Sequence, residues 1–463
     1  MVQVKRPGTD GAASESAYDA IILGAGISGL VSASTLLKKG CRKILVIDEY
    51  SHLGGNHLDW SSNGYTFDVG SLIFQDDSPL LEHFPGLLPH YVPVQPEWAR
   101  LNPQGRITKY PVSIRDDILA GGPLVTARIL ASAIYSRLFQ RRVLCAEEFA
   151  RYWIGAYLLK RSGLKTYMRR FYGIDPSEID IDLARKRMLW ISENASVRGI
   201  LRRLKKRRKG SGPTNRQLVR PREGFGALYD IVRKQLEKEG VSFQLGKKMR
   251  AIRKNGDGFE VHTDAETFTA GDIVATIPVK QTAALCGISQ GSNLKSITLI
   301  TLYFSFSGDR RFKQSIIYNF SDEGAWKRLT VYSDFYGRVH GREYFAVEVI
   351  ADFLGGGAEE GERDFRQHVR DKSLFIGDLR LEGSQVLENA YPIYSRGSVL
   401  DAESAIAALR DFGITSHGRQ GAFNYQPTAR VSTIEAEMAL QDFKLNQRND
   451  EELFNEPLKE IKI

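Results

Sequence analysis

Three glycines and one acid carry the first chemical signal. Gly24, Gly26 and Gly29 form G-x-G-x-x-G, and Asp48 follows 24 residues after the first of them. Glycines at that spacing leave backbone N–H groups open to a pyrophosphate, whereas a side chain at Gly24 or Gly26 would hold the phosphates off. An acid about 20 residues further on accepts hydrogen bonds from a ribose hydroxyl, which favours a free 2′-OH over a 2′-phosphate. The pattern points to a dinucleotide.

That chemistry needs a strand, a tight turn, a helix and a second strand, and the flanking residues supply them in order. Ala20–Leu23 is a short apolar run, as expected of a buried parallel strand. Apolar residues then recur at helical spacing from Ile27 to Lys39, and Gly40 ends the helix. The helix start leaves unpaired N–H groups and the positive end of its dipole at the phosphate site. A second strand, Ile44–Ile47, delivers Asp48.

Gly54-Gly55-Asn56 comes soon after Asp48. An acid closing the second strand followed by Gly-Gly resembles the extended FAD fingerprint of the amine oxidase, protoporphyrinogen oxidase and UDP-galactopyranose mutase flavoproteins. The resemblance implies FAD as cofactor, held by Gly24, Gly26, Ile27, Ser28, Gly29, Asp48, Glu49, Gly54, Gly55 and Asn56. Further signatures follow in the family's order. Ile107–Ile114 resembles its Tyr-Pro strand, and Glu147–Asp180 resembles the helical segment ending in G-x-D-P, where Lys165, Arg169 and Arg170 are candidates to face a ligand phosphate. Gly224-Phe225-Gly226 resembles the glycine-rich entry to the returning nucleotide domain. Met249 matches the position whose backbone meets the adenine. Ala390-Tyr391-Pro392-Ile393 and Gly418-Arg419-Gln420-Gly421 resemble the two carboxyl-terminal signatures, the second of which caps the flavin through Gly418, Arg419 and Gly421. By family position, Arg328, Arg419, Tyr391 and Tyr425 are the catalytic candidates. The chain departs from the mutases at Leu72, where they carry histidine, and at Gln426-Pro427-Thr428-Ala429, where they carry an Asp-Met-Asp-like run.

With 463 residues, more than one core is expected. Cys41, Cys145 and Cys286 are far apart and the histidines lack ligand spacing, so no metal and no disulfide are expected. No apolar run is expected to reach the roughly 18 residues of a membrane span. The apolar helix Leu124–Phe139 reads as core in preference to a membrane contact. The net charge of +9 is concentrated: Arg198 to Arg222 holds eleven Lys or Arg and no acid, leaving the rest of the chain close to neutral. That segment reads as a solvated loop or as a contact with an anionic partner, such as a membrane surface or substrate phosphates. Nucleic acid is not expected, since no aromatic stacking motif accompanies the charge.

The expected fold is α/β: an FAD-binding Rossmann-type (GR2-like) domain with a helical insertion and an antiparallel-sheet substrate domain. The FAD domain is expected to be discontinuous, over residues 17–90, 215–290 and 388–445. Residues 91–214 form the helical insertion, 291–387 the sheet domain, and 1–16 and 446–463 are tails. The expected function is an FAD-dependent oxidoreductase that passes hydride from a small organic substrate to flavin. The alternative is a nucleotide-sugar mutase of the UDP-galactopyranose type. The expected location is cytoplasmic, with peripheral membrane contact as the variant.

Overall fold

The structure, a computed structural model, describes residues 18–70, 73–111, 113–140, 142–187 and 215–443. The tail 1–16, Leu72, the basic stretch from Arg198 to residue 214 and the tail 446–463 lie outside the described residues.

The nucleotide unit forms as its sequence dictates. Strand β1 (Tyr18–Leu23) leads into helix α1 (Ile27–Lys38), and strand β2 (Ile44–Asp48) returns beside it in parallel. Strand 241–245 extends the sheet beyond β2, and strand 267–275 flanks β1 on the other side, both in parallel. The long strand 267–275 is shared along its length. Its first half pairs antiparallel with 258–263, and its last residues pair in parallel with Ile414–Ser416. Alternation sends Ile21, Leu23, Leu45 and Ile47 into one core layer and Ala20, Ile22, Ile44 and Val46 into the other. Both faces are therefore covered, which is why these strands read as continuous apolar runs.

A second seven-stranded sheet runs in the order 375–392, 296–310, 343–350, 326–331, 316–319, 98–101, 107–109. All its pairs are antiparallel except 316–319 with 98–101. Strands 92–94, 98–101 and 107–109 lie within the stretch expected to be helical, so the helical region begins only at Ile114. One face of this sheet packs Phe304, Phe345 and Val347 against Phe365 and Val369 of helix Ala358–Asp371. The opposite face is turned to the site.

Helix Gly122–Phe139 corrects the expectation that it is core. It lies on helix Ala146–Arg161 along one side, while Leu124, Ile134, Tyr135 and Leu138 are exposed. The helical run Asp116–Phe139, 24 residues long, is long and apolar enough to cross a membrane, so the expectation that no segment qualifies is also corrected. The periodicity of an all-round apolar helix says that something must cover it, not what. Of the basic segment, Arg220 is a second correction. It is wholly buried and ion-paired with Asp68, with Asp59 3.8 Å away, and these counter-charges offset the cost of taking the guanidinium out of water. Arg216 pairs with Asp76 at 2.8 Å.

Candidate active site

The first part of the site is a cleft along the carboxyl ends of β1 and β2. Gly24, Gly26, Ile27, Ser28, Asp48, Glu49, Gly54, Gly55 and Asn56 all line it, nine of the positions expected from the sequence. The glycines act in different ways. At Gly29 a Cβ would fall 1.9 Å from the Gly24 carbonyl oxygen, so this residue permits helix and strand to touch. At Gly24, with φ +105°, a Cβ would lie 2.5 Å from Thr276 Oγ1. At Gly26 a Cβ would meet no protein atom nearer than Gly55 Cα at 3.7 Å, so the space beside it is open to a ligand. The Asp48 carboxylate accepts from Ala25 N at 2.6 Å and from Tyr50 N at 2.9 Å, pinning the phosphate loop to β2. Burial raises its pKa, and those two backbone bonds oppose the rise. The exposed Glu49 lines the same end of the cleft. The backbone N–H groups of Gly246 and Lys247 donate to the Tyr50 and Asp48 carbonyls, bringing the loop ahead of Met249 to that end. The Met249 side chain itself packs in the core and does not line the cleft.

The cleft is roofed from the carboxyl-terminal end of the chain. The turn Gly418–Gly421 sits so close that a Cβ on Gly418 would fall 2.8 Å from Ser28 Oγ, and one on Gly421 would fall 2.7 Å from the Ala275 carbonyl oxygen. Gly29, Gly418 and Gly421 therefore shape the cleft without lining it, and Arg419 and Gln420 line it. Arg419 is held by two hydrogen bonds from Nε and Nη2 to the Gln426 carbonyl, at 3.1 and 2.7 Å. Asn56 Nδ2 donates to the Ala390 carbonyl at 2.8 Å, tying the Gly-Gly loop to the same roof.

Beside the cleft lies a cavity of about 420 Å³. Its walls are aromatic, with Trp98, Tyr110, Phe171, Tyr318, Tyr394 and Tyr425 among them. Tyr391 and Arg419 line both spaces, so the two are contiguous. All four catalytic candidates, Arg328, Arg419, Tyr391 and Tyr425, converge on this cavity. Of the phosphate candidates, Arg170 is not available. It is buried and donates to the carbonyls of Asn319, Ser321 and Glu323. Lys165 pairs with Glu147 at 2.9 Å, away from the cavity walls.

A charge cluster missed in the sequence anchors the cavity floor. Strand 326–331 shifts register between Trp326 and Arg328, which leaves Lys327 as a bulge residue. Strict alternation would send Lys327 and Arg328 to opposite faces; the bulge turns both toward Glu348 on the neighbouring strand. Lys327 Nζ is 3.0 Å from Glu348 Oε2, and Arg328 donates to Oε1 of the same carboxylate. Burial works to raise the pKa of Glu348, but Arg328 and then Lys327 overcome it and hold the carboxyl below the usual range. Gly70 makes room, since its Cβ would lie 3.3 Å from Arg328 Nη2. The sequence contained one signal, adjacent Lys and Arg in an apolar strand, but no sign of the bulge. His57 was also missed. It lines the cleft, stacks on Phe225 at 4.6 Å, and its Nδ1 is 2.5 Å from the Tyr229 hydroxyl. Burial and then the Arg419 charge push its pKa down, so it is neutral. Cys41 and Cys286 have thiols pushed up to about 12, chiefly by burial.

Residues 22–85 match the NAD(P)-binding Rossmann-like domain family, and residues 173–314 match the flavin containing amine oxidoreductase family. The two matches identify a Rossmann-like unit and a flavin amine oxidoreductase-like segment, and the fold as a whole is shared with solved structures of such enzymes. The chain's cofactor is FAD, and the residues of the cleft fit that group: open space at Gly26, helix N–H groups, the carboxylates of Asp48 and Glu49 and a glycine-built roof. Among solved structures of this fold, reduced UDP-galactopyranose mutase superposes with a TM-score of 0.73 at 18% identity, covering 92% of this chain and 94% of that one. Among curated relatives, a chloroplastic prolycopene isomerase of Arabidopsis thaliana is 47% identical over 66 residues. That match covers 14% of this chain and only 11% of the relative's length. Protoporphyrinogen oxidase 1 of Arabidopsis thaliana is 25% identical over 249 residues, 50% of this chain and 45% of the relative.

Proposed function

We propose that this flavoprotein is an oxidoreductase that removes hydride from an organic substrate seated in the aromatic cavity. The single observation carrying this reading is that the dinucleotide cleft and the cavity meet at Tyr391 and Arg419. Bound FAD supplies the hydride acceptor. Gly26, Ile27 and Ser28 offer N–H groups to the pyrophosphate, Asp48 and Glu49 serve the ribose, and Arg419 and Gln420 close the flavin end.

The chain's own part in the reaction is to orient, exclude water and hold charge. Tyr318, Tyr391, Tyr394 and Tyr425 give flat apolar surfaces on which a ring or a conjugated chain can lie. Lys327 and Arg328 carry two positive charges against the single carboxylate of Glu348, and Arg419 adds a third. That surplus in a poorly solvated cavity favours a substrate with an apolar body and an anionic substituent.

A second reading is supported by the same cations. Arg328 and Arg419, with tyrosines between them, are a fitting set for the diphosphate of a nucleotide-sugar, and the UDP-galactopyranose mutase fold likeness is strong. One experiment separates the readings. Loaded with FAD and mixed anaerobically with candidate substrates, the oxidoreductase loses its visible flavin absorbance in the presence of its substrate. A mutase needs the flavin reduced beforehand and converts substrate with no net change in redox state. Folded protein that takes up no FAD overturns both.

A further inference from the structure

Helix Gly122–Phe139 is clothed on one side only. Ile129 and Ser136 are buried, and Ser132 and Ala133 meet Gly155 of the neighbouring helix, where a Cβ would fall 2.6 Å from the Ala133 nitrogen. Tyr157 N donates to Ser132 Oγ at 3.1 Å, and Gln140 Nε2 donates to the Glu148 carbonyl at 2.7 Å. The other side is apolar and bare, with Leu124 81% and Leu138 69% exposed and Leu130, Ile134, Tyr135 and Phe139 beside them. Elsewhere in the described chain the large exposed apolar residues stand singly or, at Ile434 and Met438, as one pair, whereas here they form one contiguous arc, the mark of an interaction surface.

The charge around the arc decides what covers it. From Ile118 to Ala146 the chain carries arginines at 128, 137, 141 and 142 and no acid. A second copy docking through this face would set those arginines against their own kind. An apolar medium beneath an anionic layer satisfies both the leucines and the arginines, whose long stems let the charge rise to the headgroups. Arg128 sits mid-way along the helical run, where a membrane-crossing orientation would put it at the bilayer centre at high cost. The hydrogen bonds to helix Ala146–Arg161 also keep the segment on the protein, so it lies in the surface and does not traverse it.

We propose that the face formed by Leu124, Ile134, Tyr135 and Leu138 docks in the plane of an anionic phospholipid surface, with Arg128 and Arg142 at the headgroups. The test is co-sedimentation of the full FAD-loaded chain with vesicles of phosphatidylcholine, with and without phosphatidylglycerol. The protein is expected to pellet with the anionic vesicles. Leu124→Glu/Ile134→Glu/Leu138→Glu is expected to weaken that binding by about tenfold or more. Arg128→Ala and Arg142→Ala are expected to weaken it by about fivefold each, less at high salt. Flavin content and thermal midpoint report that each variant is folded, since the changed residues are exposed. Three results overturn the proposal: protein that stays in the supernatant with both vesicles, a triple variant that pellets like the parent, or a dimer in light scattering that the triple variant disperses.

Discussion

Lys327 holds its ammonium 4.7 Å from the ring centroid of Tyr391, the residue whose other neighbour, Arg419, has its guanidinium 5.6 Å from the same ring. The ring therefore stands between the chain's buried charge and the space for the flavin. A desolvated cation over an aromatic face is worth about 2 kcal/mol, so Tyr391→Ala is expected to lose at least that much stability in urea unfolding. Tyr391→Phe keeps the ring and is expected to stay within about 1 kcal/mol of the parent. Equal losses in the two variants would show that the hydroxyl, not the ring, matters.

Glu348 is the sole carboxylate facing Lys327 and Arg328 from the paired strands among the described residues. Glu348→Gln leaves two buried cations without a counter-charge and is expected to cost about 3–5 kcal/mol. Lys327→Met added to that variant is expected to recover part of the loss. Unfolding midpoints of the parent, the single and the double variant decide it, and a single variant as stable as the parent would be the contrary result.

Gly26 and Gly29 are expected to fail differently. A methyl at Gly29 would overlap the Gly24 carbonyl oxygen, so Gly29→Ala should fold poorly with or without cofactor. At Gly26 the added carbon meets no protein atom closer than 3.7 Å. Gly26→Ala should therefore fold, with a normal far-ultraviolet spectrum, and bind FAD at least about tenfold more weakly, the loss expected of one displaced charge-assisted hydrogen bond. Flavin titration of the folded apoprotein measures this directly.

Stability should fall in mild acid. Burial pushes His417 down to about 4, and burial followed by the Lys372 charge pushes His368 down to about 4. In the unfolded chain both return to the ordinary value of 6.5. Their contribution is fully present above that pH and is lost as pH falls from it toward the folded-state values. The expected slope is about 1.4 kcal/mol per pH unit for each histidine. His368 accepts from Trp326 Nε1 at 2.8 Å through Nδ1, so protonation breaks a buried bond as well. His417→Asn should flatten the slope by one histidine's share in denaturation curves taken across that range.

The nucleotide half of the site was legible because its chemistry is local. Gly24 to Asn56 act within one strand–helix–strand unit, and their spacing fixes where they stand. Tyr391, Arg419 and Tyr425 were found through motifs, and the chain folds them onto one cavity. What could not be read depends on register and distant pairing. The bulge that turns Lys327 beside Arg328 is a property of two strands, and Glu348 lies 20 residues further on. Arg220 looked like part of a solvated basic run, yet its partner Asp68 is 152 residues away. Helix Gly122–Phe139 has the composition of a core element, and only its neighbours reveal that, among the described residues, half of it has nothing to lean on.

The eighteen-residue strand Phe375–Pro392 pairs with Ser296–Arg310 along the antiparallel sheet, and its last residues, Asn389 and Tyr391, form the wall of the dinucleotide cleft. One unbroken ribbon thus stitches the two lobes together. Any movement of that sheet therefore carries Asn389 and Tyr391 of the cleft wall with it.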